Sequence, residues 1–225
     1  MRLVSSRFDV EYMAPKDVAY NIIATAMRNC YRAELNAMPL DDTKMVEKAI
    51  KMRHYSVLEH SMISLNITCD RGVSHELVRH RLASYSQEST RYCNYNTDKF
   101  DKEVTFVIPS WVVVNSDMAT DTSKKYLLWL ETMSYLEKAY IGMLEEGASA
   151  QEARAVLPNS LATKIAISTN FREWLHILNL RCSKHAHPDM RLLMLKILGL
   201  FNNEYPEIFG SLFTHHQEDI ELCQG

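Results

Sequence analysis

Residues 76–92, ELVRHRLASYSQESTRY, place Arg79, His80, Arg81 and Arg91 beside Ser84, Ser86, Ser89 and Thr90. Guanidinium groups grip phosphate through paired, charge-assisted hydrogen bonds, and short hydroxyl side chains with backbone N–H groups satisfy the remaining oxygens. The stretch therefore has the composition of an anion site. If residues 72–83 form a helix, Arg79 and Arg81 lie about 200° apart, because each residue turns roughly 100°. One arginine would then serve the phosphate and the other a second ligand or a subunit. The same residues also suit a plainer role, a solvated basic helix end whose arginines favour the C-terminal dipole.

Other reactive types are weaker signals. His176, His185 and His187 invite a zinc reading, but no carboxylate or cysteine completes a tetrahedral set at familiar spacing, so no metal is expected. His215 and His216 read as a surface pair. Ser89 near histidine has the makings of a nucleophile, yet no GxSxG elbow surrounds it and the neighbouring arginines suit anchoring better. Cys30, Cys69, Cys93, Cys182 and Cys223 stand without CxxC pairs, which fits a reducing cytoplasm. Neither GxGxxG nor GxxxxGK[ST] is present, so a nucleotide or flavin would be gripped by side chains. With 25 Lys+Arg against 28 Asp+Glu, the net charge of -3 argues against nonspecific nucleic-acid binding. The N-terminal stretch lacks the apolar core of a signal peptide, and no apolar run is long enough to cross a bilayer. The tyrosines of YCNY, 92–95, read as local loop packing.

The elements that must position these residues alternate helices with a few strands. Residues 61–69 put Ile63, Leu65, Ile67 and Cys69 on one side, a strand pattern. Similar strands are expected at 163–169, at 104–108 and within the first ten or so residues, together a modest sheet. Helices are expected over 15–29, 42–54, 72–83 and 121–146, the last stopped by Gly147, with Ser149 and Glu152 forming a capping box for a short helix before Pro158. Two apolar helices, about 171–182 and 188–203, are expected to finish the chain, and the Met- and Leu-rich stripe 192–195 reads as core or subunit interface. Unequal helices between strands predict an α+β fold with a mixed or antiparallel sheet, in one domain over residues 1–225.

The spacing of the basic segment is more specific than its composition. Arg79-His80-Arg81, seven intervening residues, then Ser89, Arg91 and Tyr92, resembles the signature of the flavin-dependent thymidylate synthases, the ThyX family. HYSVLEH at 54–60 resembles the family's flavin-contacting segment, with Ser56 where threonine is common and Glu59 at the acidic position. EARAVLP at 152–158 matches the segment whose arginine, here Arg154, reaches the nucleotide. NFREWLHILNLRCSKHAH at 170–187 matches the C-terminal site segment.

The resemblance implies the following site. Glu76, Arg79, Gln87, Glu88, Ser89, Arg91, Arg154 and Arg181 would bind dUMP, with Arg181 at the uracil and, with Ser89, catalytic. Ser56, Glu59, Arg79, His80, Arg81, Gln87, Asn170, Arg172, His176 and His185 would bind FAD. NADPH and methylenetetrahydrofolate are implied as cosubstrates, and a homotetramer with active sites shared between subunits as the assembly. Three positions depart from the commonest pattern: Glu76 for glutamine, Gln87 for glutamate and Glu88 for an apolar residue. A carboxylate at 76 or 88 repels a phosphate unless it faces a sugar hydroxyl or an arginine. The rival readings are a nonredox enzyme acting on a nucleotide phosphate and a phosphate-binding module; neither gives the 170–185 block a purpose.

Overall fold

A computed structural model describes residues 1–30, 41–112 and 123–224 and is α+β, as expected. Strands β1 (Arg2–Val4) and β2 (Arg7–Met13) precede helices α1 (Lys16–Cys30) and α2 (Asp42–Lys51) and a 3-10 turn at Tyr55–His60. Strand β3 (Met62–Asp70) runs directly into α3 (Arg71–Leu77), followed by β4 (Ser84–Gln87) and β5 (Thr105–Val107). Helices α4 (Lys124–Glu145) and α5 (Ala150–Ala153) lead through a further 3-10 turn, Arg154–Val156, to β6 (Ala162–Asn170). Helices α6 (Phe171–Arg181), α7 (Pro188–Glu204), α8 (Pro206–His215) and α9 (Gln217–Gln224) follow. Residues 121 and 122 of the expected helix 121–146, and the side chain of Cys223, lie outside the described residues.

Local chemistry explains most boundaries. Asp41, Asp70, Ser123, Ser149 and Asn170 each accept a hydrogen bond from a first-turn N–H, satisfying a donor that the helix cannot. The Ser149–Glu152 capping box forms as expected, and Gly147, at φ 93°, adopts the left-handed backbone that stops α4. Two expectations are corrected. The helix expected over 72–83 ends at Leu77, where the N–H groups of Val78 and Arg79 turn back to Ser74 and Glu76, so Arg79 and Arg81 share no helix and helical rotation does not set their directions. The chain also does not finish with two helices. Pro206 starts α8, seated by buried Ile208 and Phe209, and α9 follows it.

The main sheet has the order β2-β3-β6-β4. β3 and β6 are antiparallel: Phe171 N donates to Ser61 O, Ser64 and Ser168 hydroxyls meet at 2.7 Å, and Arg71 N donates to Leu161 O. Ile63, Leu65, Ile67 and Cys69 are all fully buried, so the face expected from their alternation is the core face. β1 and β5 do not join this sheet but pair with each other, parallel, Leu3 opposite Phe106.

The chain divides into two compact units. The first comprises Met1–Arg7, Ile67–Arg79 and Ser86–Ile165; the second comprises Phe8–Asn66, His80–Tyr85 and Ala166–Gly225. Tyr95, Val104, Phe106, Met133, Tyr140 and Leu161 form the core of the first. In the second, Phe171 packs against Tyr205 and Phe209, and Trp174 meets Phe201 edge-on at 5.1 Å. Leu193, Met194 and Leu195 are buried there, as the apolar stripe predicts. No helix among the described residues is long and apolar enough to cross a membrane.

Candidate active site

In the first unit Ser89, Arg91 and Arg154, three of the expected nucleotide residues, gather around one turn, whereas Arg181 lies on α6 in the second unit. Ser89 O accepts from both Tyr92 N and Cys93 N, closing a tight bend directly after β4. Arg154 Nη1 lies 3.4 Å from Thr90 Oγ1, and Arg91 Nε donates to Gln151 Oε1 at 2.8 Å, so the bend and the α5 segment present both guanidinium groups together. Arg91 also lies over the exposed Tyr92 ring, 5.5 Å from its centroid. Both arginines are exposed, and a turn with two cations and two hydroxyls suits a phosphate dianion. Arg79 is exposed at the end of α3, and Glu76 is half-buried on that helix.

The two unusual side chains beside Ser89 turn inward. Gln87 donates to Ser74 Oγ and Thr163 Oγ1, at 2.9 and 3.2 Å, and ties β4 to its neighbours. Glu88 accepts from the buried Tyr95 hydroxyl at 2.9 Å, and burial, then the Glu88 charge, raise the Tyr95 phenol well above its usual range. Glu88 thus faces a tyrosine rather than an arginine or a sugar. Of the YCNY segment, Tyr95 packs in the core as expected, while Tyr92 stands in solvent.

In the second unit α6 and its cap position Asn170, Arg172 and His176 of the expected flavin residues. Asn170 caps it, its Oδ1 accepting from Glu173 N at 2.9 Å. Trp174 anchors the buried side by donating to Ile63 O at 3.2 Å, which turns Arg172, His176 and Asn179 outward. Arg172 pairs with Glu59 at 2.5 Å, linking the helix to the 3-10 turn that also carries exposed Ser56. Arg172, His176, Lys51 and Arg53 line a cavity of about 940 Å³, with Tyr55, Leu175 and Ile208 supplying apolar surface. Arg81 is exposed; His185 is exposed too and lines a separate cavity of about 650 Å³ with Lys184 and His215.

Between its exposed neighbours Arg79 and Arg81, His80 is buried. Its Nε2 accepts from Arg181 Nε at 3.0 Å, so the ring proton belongs on Nδ1, which lies 3.8 Å from Glu173 Oε1. Burial, then the Arg181 guanidinium and His176 beside it, holds the imidazole down at about 4, and it is neutral at physiological pH. Burial pushes the Glu173 carboxyl up. The side chains of His80, Glu173 and His176 bring potential donor atoms within 4.8 Å of one another. The zinc grouping considered in the sequence, His176 with His185 and His187, is not the one formed, because His187 instead caps α7 through Asp189 N. Glu173 and His176 carry the i, i+3 spacing of a shared helix face, but His80 comes from a distant segment and only folding adds it. The Arg181 guanidinium already on Nε2 disfavours a second cation there. His216, expected at the surface, is buried 3.8 Å from Asp219.

The described residues thus present one cationic turn and one cationic, part-apolar cavity. Residues 10–207 match the family model described as thymidylate synthase complementing protein, and the chain belongs to that family. A flavin-dependent thymidylate synthase of Geobacter sulfurreducens is 36% identical over 196 residues, 83% of this chain and 79% of that one. Another, of Mycolicibacterium gilvum, is 34% identical over 218 residues, 90% and 83% of the two chains. Among solved structures, a UMP/dUMP methylase, PolB, from Streptomyces cacaoi bound with 5-Br dUMP superposes with a TM-score of 0.74 over 96% of this chain and 97% of that one. At 18% identity this match establishes the shared fold.

Proposed function

We propose that the chain converts dUMP to dTMP as a flavin-dependent thymidylate synthase, without a covalent enzyme nucleophile. The observation that carries the reading is the sorting of its cations into two sets. One set surrounds the Ser89 turn with Arg91 and Arg154, and the other lines the α6 cavity with Lys51, Arg53 and Arg172.

The α6 cavity suits FAD, since its cations answer a pyrophosphate and Tyr55, Leu175 and Ile208 answer a ring. Ser56, Glu59, Arg81, Asn170, Arg172, His176 and His185 would hold it, with Arg79, His80 and Gln87 contributing. Bound there and reduced by NADPH, FAD would supply the hydride that converts the methylene group, once transferred from methylenetetrahydrofolate to the uracil carbon, into the methyl group of dTMP. Arg79, Ser89, Arg91 and Arg154 fix the dUMP phosphate. Arg181 stabilises the negative charge that spreads to N3 and O4 of uracil, which makes the ring carbon accepting the methylene more nucleophilic. Ser89 positions the nucleotide rather than attacking it. The whole chain, 1–225, acts as one catalytic domain in a cytoplasmic homotetramer whose active sites draw on more than one subunit.

The test is the visible spectrum of protein reconstituted with FAD, recorded anaerobically before and after NADPH with dUMP. A bound-flavin spectrum that bleaches, followed by dTMP formation once methylenetetrahydrofolate is added, is the expected result. Protein that never retains flavin would leave a nonredox nucleotide-phosphate enzyme or a phosphate-binding module as the better account.

A further inference from the structure

The basic segment contains one side chain whose burial the anchoring of a ligand does not explain. Arg79 and Arg81 stand exposed, whereas the imidazole between them is 6% exposed. Burying an imidazole is unfavourable unless its ring nitrogens are used. Nε2 takes the Nε–H of Arg181 at 3.0 Å, and Nδ1 faces Glu173 at 3.8 Å. The backbone is held as well: His80 O accepts from Tyr85 OH at 2.9 Å, and Leu82 O accepts from Thr169 Oγ1 at 2.7 Å. Glu173 lies in the first turn of α6 and Arg181 is its last residue, so the ring connects the two ends of that helix.

A long side chain at a helix end has many rotamers, and an arginine that must meet a flat ring edge-on needs its guanidinium plane defined. A hydrogen bond to Nε does this while itself using only that nitrogen of the five-donor fork. We propose that His80 is a positioning residue: by accepting the Nε–H of Arg181 it sets the guanidinium plane that meets the uracil, and Glu173 keeps the imidazole in the tautomer that can accept. The inference rests on the reading of Arg181 as the uracil contact. Protonation would turn Nε2 into a donor and set a cation against Arg181. The groups facing the ring are Arg181, His176 and Glu173, with Tyr85 on the His80 backbone carbonyl, and burial, then Arg181 and His176 beside the ring, keep the acceptor available down to about pH 4.

Two amides separate the ring nitrogens. Gln at this position places an acceptor near the site of Nε2, whereas Asn keeps a polar group near Nδ1 but falls short of Arg181. In the FAD-loaded protein, His80→Asn is expected to raise the dUMP dissociation constant about tenfold, the scale of one charge-assisted hydrogen bond, and to lower kcat. His80→Gln should stay within about twofold of wild type, with the flavin spectrum and Tm recorded as controls for both variants. On an Arg181→Ala background, His80→Asn should weaken dUMP binding no further, because residues acting through one contact are non-additive. Glu173→Gln, which leaves the ring in place, should shift the constant in the same direction by less. Additive losses, Asn equal to Gln, or an unchanged constant in Glu173→Gln would overturn the positioning role. Arg181→Ala with wild-type binding and turnover would overturn the underlying reading of Arg181 as well.

Discussion

Replacing Arg154 by alanine isolates the phosphate contact from the fold. The side chain is exposed, its described partner is Thr90 Oγ1 at a marginal 3.4 Å, and the backbone N–H that caps α5 survives the substitution. Surface changes of this kind alter stability by about 0.5 kcal/mol or less. A charge-assisted hydrogen bond to phosphate contributes about 1.5–3 kcal/mol, which is roughly ten- to hundredfold in affinity. The assay is calorimetric titration of FAD-loaded protein with dUMP and, in parallel, with deoxyuridine, which lacks the phosphate. Arg154→Ala should weaken dUMP by that factor, leave deoxyuridine and the melting temperature unchanged, and flatten the salt dependence of dUMP binding. Equal losses for nucleotide and nucleoside, or an unchanged dUMP constant, would refute the assignment of Arg154 to the phosphate.

Arg181→Ala is expected to abolish dTMP formation while the protein folds and retains flavin, read from product assay and visible spectrum; undiminished product would remove Arg181 from the mechanism. Ser89→Ala should lower kcat/KM by about tenfold or more, the scale of a positioned polar contact, with little change in Tm. Wild-type affinity and rate would reduce Ser89 to a loop residue. The pH dependence of stability follows from His80. Its folded value near 4 lies below the ordinary 6.5, so between those values the unfolded chain binds more protons and stability falls as pH is lowered. Thermal melts at pH 6.5 and 4.5 should therefore differ more for wild type than for His80→Gln, and equal differences would contradict the buried neutral imidazole.

How much was legible depended on the range of the signal. The alternation through β3 and the Ser149–Glu152 box are local and appear as expected, because period and capping need only neighbouring residues. β4 went unrecognised because Ser84–Gln87 has no apolar face; it is a strand through pairing, as Glu88 N donating to Lys164 O shows. The same long-range pairing explains why α3 stops early. Helix propensity in RHRLAS is outweighed once Leu82 O is taken by Thr169.

The amino-acid sequence by itself determined the residue types, the order and spacing of the site segments and hence the family, since these are properties of the linear chain. It also set which arginines could bind anions. Only the tertiary structure decided which side chains of one segment separate: Arg79 and Arg81 exposed, His80 buried between Arg181 and Glu173, Glu88 turned to Tyr95. Those choices depend on contacts between residues far apart in the chain, where burial requires each polar group to find a partner that no local pattern announces.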